Sequence, residues 1–273
     1  MIEALKAVFS YDFLTRALIV GVLVSLCCSL LGVSLVLKRY SMIGDGLSHV
    51  AFGAMAVALA LDFAPLYVAI PVVIIAAFFL LKLSENSKVK GDSAIAIISS
   101  SALAIGVIVI SVSKGMNTDV YNFMFGSILS MSRGDVITSV ALSAVVILLF
   151  VFCYNKIFAI TFDENFARAT GIKADAYNML LAFLTAVTIV IGMRMIGSLL
   201  ISSLIIFPAL TAMRVAKSYK GVVITSAIVS VAAFSLGLWL SYPLSTPAGA
   251  SVVVVNLIFF VIFSVIGKIK YKA

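Results

Sequence analysis

An all-α fold, a polytopic bundle of membrane-spanning helices, follows from three features of this 273-residue chain. Sixty-three per cent of its residues are hydrophobic and only 11% are charged, far from the balance of a water-soluble domain. Its apolar residues fall into runs near the ~20 that a helix needs to cross a hydrocarbon core, not into the alternating ten-residue segments of a barrel. Its charged residues sit at the breaks between runs, and the basic ones favour alternate breaks.

Apolar runs bounded by charged breaks give about nine expected spans, at 14–37, 42–61, 66–82, 93–112, 135–153, 177–193, 196–215, 222–240 and 248–267. The first stops at Lys38-Arg39 and the second at Asp62. The third runs to Lys82, and the fourth starts beyond Lys88, Lys90 and Asp92. The fifth lies between Arg133 and Lys156. Only Gly192-Met193-Arg194-Met195-Ile196-Gly197 separates the sixth from the seventh, and reading 177–215 as one crossing would reduce the total to eight. The eighth follows Lys217 and Lys220, and the ninth ends at Lys268. Pro71 and Pro208 fall inside expected spans, where each removes a backbone donor and favours a kink. No internal repeat at a fixed period is evident, and residues 1–273 read as one transmembrane domain.

Nine crossings put the termini on opposite sides, and the excess of Lys and Arg on cytoplasmic loops decides which. With a cytoplasmic C-terminus the inner set is Lys38, Arg39, Lys82, Lys88, Lys90, Lys156, Arg168, Lys173, Arg214, Lys217, Lys220, Lys268, Lys270 and Lys272. The outer set is Lys6, Arg16, Lys114, Arg133 and Arg194, so the bias is fourteen to five. The N-terminus is therefore expected outside and the C-terminus inside. A single span over 177–215 would destroy this bias, which favours two. Orientation also accounts for the net charge of +8, and no nucleic-acid partner is implied. Glu3 and Asp12 interrupt the basic segment that a cleaved signal would need, and the run 18–37 is too long for one. Cys27, Cys28 and Cys153 lie within apolar runs without a CxxC spacing, which implies packing rather than disulfides or thiolate ligation.

Two segments carry chemistry. Asp45 and His49, the only histidine, are four residues apart, which puts both side chains on one face of a helix one turn apart. A carboxylate and an imidazole so placed can share a divalent cation. The alternative reading has Asp45 cap the second span and His49 serve as a hydrogen-bonded structural residue; the small residues Gly46, Gly53, Ala54 and Ala56 nearby would admit a neighbouring helix or a second copy. Two donors do not complete a coordination sphere, since zinc takes four and manganese up to six. The rest would come from a symmetry mate, water or backbone oxygen.

The second segment runs from Thr161 to Gly171. Thr161 and Glu164 have capping-box spacing, Asp163 and Glu164 fill the first turn with Phe166, Ala167 and Arg168 behind them, and Gly171 is the expected stop. This predicts a helix of about two turns, too short to be stable alone. It docks either on its own bundle or in a partner's groove. In the outer loop 113–134, Tyr121, Phe123 and Phe125 suit an interfacial belt or a gate. Ser245 to Gly249 is a turn by composition, and Met193 and Met195 read as packing. No GxxxxGK[ST] phosphate loop is present, so energy must come from a partner or an ion gradient.

With these residues in place, the chain resembles the permease subunits of ATP-binding-cassette importers for zinc, manganese and iron. The most specific match runs from Leu37-Lys38-Arg39 through Asp45 and His49 to Ala51-Phe52-Gly53. Others are Phe125 to Leu129, Asp163-Glu164 with Ala167-Arg168-Ala169 and Gly171, Gly197 to Leu200 through Pro208-Ala209, and Thr246 to Gly249. The resemblance implies a bacterial plasma-membrane homodimer, two cytoplasmic ATPase subunits, and an extracellular or periplasmic metal-binding protein. It implies no permanently bound cofactor, only a transported divalent ion. It assigns Asp45 and His49 to the ion pathway, and the segment containing Asp163, Glu164, Phe166, Ala167, Arg168 and Gly171 to the ATPase contact. Two other classes compete with ATP-driven import: a gradient-driven transporter in which Asp45 titrates, and a membrane scaffold in which the pair is structural.

Overall fold

The computed structural model describes residues 12–86, 91–113, 126, 133–244 and 246–272, and among them there is no strand. The helices are α1 (Asp12–Leu37), α2 (Ile43–Ala60), α3 (Pro65–Asn86), α4 (Gly91–Val112), α5 (Arg133–Phe152), α6 (Tyr154–Phe162), α7 (Glu164–Ala169), α8 (Ala174–Ile196), α9 (Ser198–Met213), α10 (Tyr219–Leu244) and α11 (Ala248–Lys272). Seven contain stretches long and apolar enough to cross a membrane: Leu14–Leu37, Ile43–Ala60, Ser93–Val112, Arg133–Phe152, Ala174–Met193, Tyr219–Ser241 and Ala248–Lys270. The expected spans 66–82 and 196–215 correspond to shorter apolar stretches, Pro65–Leu80 and Ile201–Met213. Pro71 and Pro208 lie inside α3 and α9 as expected. Tyr121, Phe123 and Phe125 fall outside the described residues.

The break between α8 and α9 is sharper than the sequence suggests. It is confined to Gly197, whose φ of 94° and ψ of 155° belong to a region that only glycine enters without strain.

α1 is the hub, packed against α5, α8, α9 and α10. Lipid gives helices no hydrophobic drive to associate with one another, so close approach of small residues and interhelical hydrogen bonds hold such bundles together. The α1–α10 seam follows that rule. Ser230 Oγ donates to the Ser25 carbonyl (2.9 Å), Ser226 Oγ to the Ser29 carbonyl (3.4 Å), and Ser34 Oγ pairs with Tyr219 Oη (2.8 Å). As positions rise along α1 their partners fall along α10, so the two helices are antiparallel. Gly32 meets the Ile205 carbonyl of α9 so closely that a Cβ there would lie 2.1 Å from its oxygen. By contrast α4 and α11 present rows of exposed apolar side chains, among them Ile97, Ile105 and Ile108 on α4 and Val254, Val261 and Val265 on α11, as a lipid-facing surface requires.

One end of the bundle is basic. There Lys38, just beyond α1, pairs with Glu164 of α7, the rings of Phe158 and Phe162 in α6 meet Tyr219 at the start of α10, and Gly267 near the end of α11 lies against the Arg214 carbonyl. These contacts gather Lys38, Arg168, Arg214 and the Lys268–Lys270 end of α11 on one side.

Candidate metal site and the α6–α7 surface

The site begins with the turn into α2. Tyr40 N–H bonds the Leu35 carbonyl and Arg39 N–H the Val36 carbonyl, with Arg39 at φ 63°, and these bonds close α1. Ile43 N–H then bonds the Tyr40 carbonyl and Gly46 N–H the Met42 carbonyl, which starts α2. Met42 occupies the cap position and no side chain caps the helix. Asp45 therefore lies in the first turn, where its charge suits the helix dipole, and not at the cap.

Asp45 and His49 share one face, with Nε2 of His49 3.6 Å from Oδ2 of Asp45. That is too long for a hydrogen bond. It is close to the ~3.4 Å that separates two ligands of one tetrahedral ion at metal–ligand distances of about 2.0–2.1 Å. The other ring nitrogen, Nδ1, is buried and has no hydrogen-bond partner among the described residues. No cluster of three or more His, Cys, Asp or Glu side chains occurs among them, so the pair supplies two donors and no third.

Its setting is close-packed on both sides. A Cβ at Gly44 would lie 2.9 Å from Ile205 Cδ1 and 3.7 Å from Ser202 Cα, and one at Gly46 2.7 Å from Ile95 Cγ2. One at Gly53 would lie 2.6 Å from the Ala102 carbonyl oxygen. The first turn of α2 is thus wedged between α4 and the middle of α9, not its end, while the Asp45 side chain keeps 33% of its surface exposed and that of His49 13%.

The second predicted segment folds differently from expectation in one respect. Thr161 is not the cap: its hydroxyl donates to the Ile157 carbonyl within α6 (2.6 Å), and Asp163 caps α7 by accepting from Phe166 N–H (2.9 Å). The reason is local. Asp163 adopts an extended backbone, φ −147° and ψ 97°, which ends α6 and leaves its carboxylate facing the free N–H groups of α7. Gly171 follows the helix at φ 84°, as expected of a stop. Ala167 is fully buried against Ile160 and Ala174.

Glu164 is turned inward. Its Oε1 takes Arg168 (2.7 Å) and its Oε2 takes Lys38 (3.2 Å), while Arg168 also holds Asp175 (2.7 Å). Burial pushes the Glu164 carboxyl up, but the hydrogen bonds of Arg168 and Asn178 and the Lys38 ammonium outweigh it and hold the group below its ordinary value. What α6 and α7 leave outside is aromatic: Phe162 and Phe166 are 60% and 65% exposed, with Phe158 beside them. Sequence reasoning singled out Phe166 for this surface but not Phe158, Phe162 or Asn178, and it read Lys38 only as a cytoplasmic charge and part of the family match. The four-residue spacing of the three phenylalanines was the available signal; the Lys38 contacts had none.

Residues 10–267 match the model of the ABC 3 transport family. The chain belongs to this family. It is 32% identical over 270 residues to the manganese import system permease protein ScaB of Streptococcus gordonii, covering 98% of this chain and 97% of that one. It is 30% identical over 253 residues to the high-affinity zinc uptake system membrane protein ZnuB of Haemophilus influenzae, covering 92% and 97%. Among solved structures, a chain of PsaBC from Streptococcus pneumoniae in complex with Fab superposes with a TM-score of 0.87 at 32% identity, covering 96% of this chain and 95% of that one. The chain is thus a multi-pass permease subunit of a metal-ion ATP-binding-cassette transporter, a transport component.

Proposed function

We propose that this permease, as a single transmembrane domain in a bacterial plasma membrane, imports a divalent transition-metal ion, zinc or manganese foremost and ferrous iron third. Two copies form the pathway, and a separate ATPase dimer drives it. An extracellular or periplasmic metal-binding protein delivers the ion. The carrying observation is the Asp45–His49 pair, whose 3.6 Å separation suits two ligands of one ion. In this reading a second copy supplies another Asp and His to complete the donor set. A site of shared, incomplete donors also releases its ion more readily than a closed structural site.

The nine-crossing topology with a cytoplasmic C-terminus puts the basic end of the bundle in the cytoplasm. That end carries α7 and the exposed Phe158, Phe162 and Phe166, which form the docking surface for the ATPase. Asp163, Glu164, Ala167, Arg168 and Gly171 shape and anchor the helix that presents it.

The test is uptake of Mn2+ and of Zn2+ into proteoliposomes holding the permease with its ATPase and binding protein. Uptake that requires ATP and all three components is expected. Uptake by the permease alone down an ion gradient would overturn the reading.

A further inference from the structure

We infer that Lys38 is a positioning residue that couples movement of α7 to the Asp45–His49 pair, an inference that rests on the import reading above. Its ammonium donates to Glu164 Oε2 of α7 and to Asn178 Oδ1 of α8. The Lys38 side chain is only 9% exposed and Asn178 is buried, so the charge is held by these partners and not by water. In such surroundings a charged hydrogen bond is stronger and more directional than at the surface. Glu164 divides its two oxygens between Arg168 and Lys38, so α7 cannot turn away without breaking an ion pair.

On the other side of Lys38 the chain is stiff. The turn from Lys38 to Ile43 is closed by backbone bonds from the N–H groups of Lys38, Arg39, Tyr40 and Ile43. Gly32 before it and Gly44 after it both pack on Ile205, so the end of α1, the turn and the start of α2 form one body around α9. Close-packed elements pass on a displacement where a loose loop would absorb it. A force that reaches α7 therefore arrives, through Glu164 and Lys38, at the helix whose first turn holds Asp45.

The discriminating measurement is the number of Mn2+ ions taken up per ATP hydrolysed by the reconstituted complex. Lys38→Met is expected to leave complex stoichiometry unchanged and ATPase activity largely intact, while ions per ATP fall on the order of tenfold. Lys38→Arg, which keeps the charge, should recover much of the ratio. Glu164→Gln should lower the ratio too, and the double variant should fall short of the product of the two single defects, because both remove the Lys38–Glu164 ion pair. Multiplying defects would overturn the inference, as would a Lys38→Met complex whose ions per ATP match wild type. So would parallel loss of ATPase activity and uptake, which marks a purely structural role. If Lys38→Met does not assemble, Glu164→Gln and Lys38→Arg read the same ratio. A wild-type complex without ATP-driven uptake would instead sink the import reading, and this inference with it.

Discussion

At the scale of single residues, the molecule places its charges with evident economy. A charged group within apolar surroundings is costly unless it faces a partner, water or an ion. Lys38, whose side chain is 9% exposed, meets this demand by pairing with Glu164, which also pairs with Arg168. Asp45 and His49 make no hydrogen bond to each other, since Oδ2 and Nε2 stand 3.6 Å apart. That contrast separates anchoring charges from the pair proposed to meet an ion. Asp45→Asn and His49→Ala should each reduce ATP-driven metal uptake to near background, with the complex still isolated at normal stoichiometry. Transport at wild-type rate in both variants would remove the pair from the pathway. The spacing of these two residues was legible in the sequence because a helical period is local. The partners of Lys38 were not, because Glu164 and Asn178 lie far along the chain and only folding brings them together.

At the scale of elements, two short features matter most. Gly197 turns α8 into α9 within one residue. Alanine there would be forced into a backbone region costing about 1–3 kcal/mol, so Gly197→Ala should lower the thermal midpoint of the purified protein in detergent. An unchanged midpoint would mean that the turn can relax. The α6–α7 pair buries Ala167 and Ile160 but leaves Phe162 and Phe166 outside. Serine at both positions should weaken co-purification of the ATPase without altering the fold, as read by the unfolding midpoint. Retained association would move the dock elsewhere. The expected helix over 161–171 was right in place and wrong in its cap. Thr161 has the spacing of a capping residue, but its hydroxyl bonds backward into α6, and the extended backbone at Asp163 decided where α7 begins.

At the scale of the whole molecule, α1 is wrapped by its neighbours while α4 and α11 turn apolar rows outward. One chain brings two candidate donors, so a complete site needs a second copy in the proposed assembly. Permeases co-expressed as wild-type and Asp45→Asn/His49→Ala copies test this directly. Complexes isolated with one copy of each should lose uptake on the order of tenfold or more, since losing half the donors of a shared site weakens binding steeply. Activity at half the wild-type level would mean that each chain works alone. Composition and run lengths by themselves determined the all-helical membrane class, the order of the apolar segments, and the shared face of Asp45 and His49. Each of these depends only on hydrophobicity and on the 3.6-residue period, which neighbouring residues define. The tertiary structure alone decided that the first turn of α2 is wedged against the middle of α9, and that Lys38 joins that turn to α7 and α8. Both rest on close contact between segments distant in sequence, where the fit of Gly44 to Ile205 and of an ammonium to two oxygens depends on the whole packed bundle.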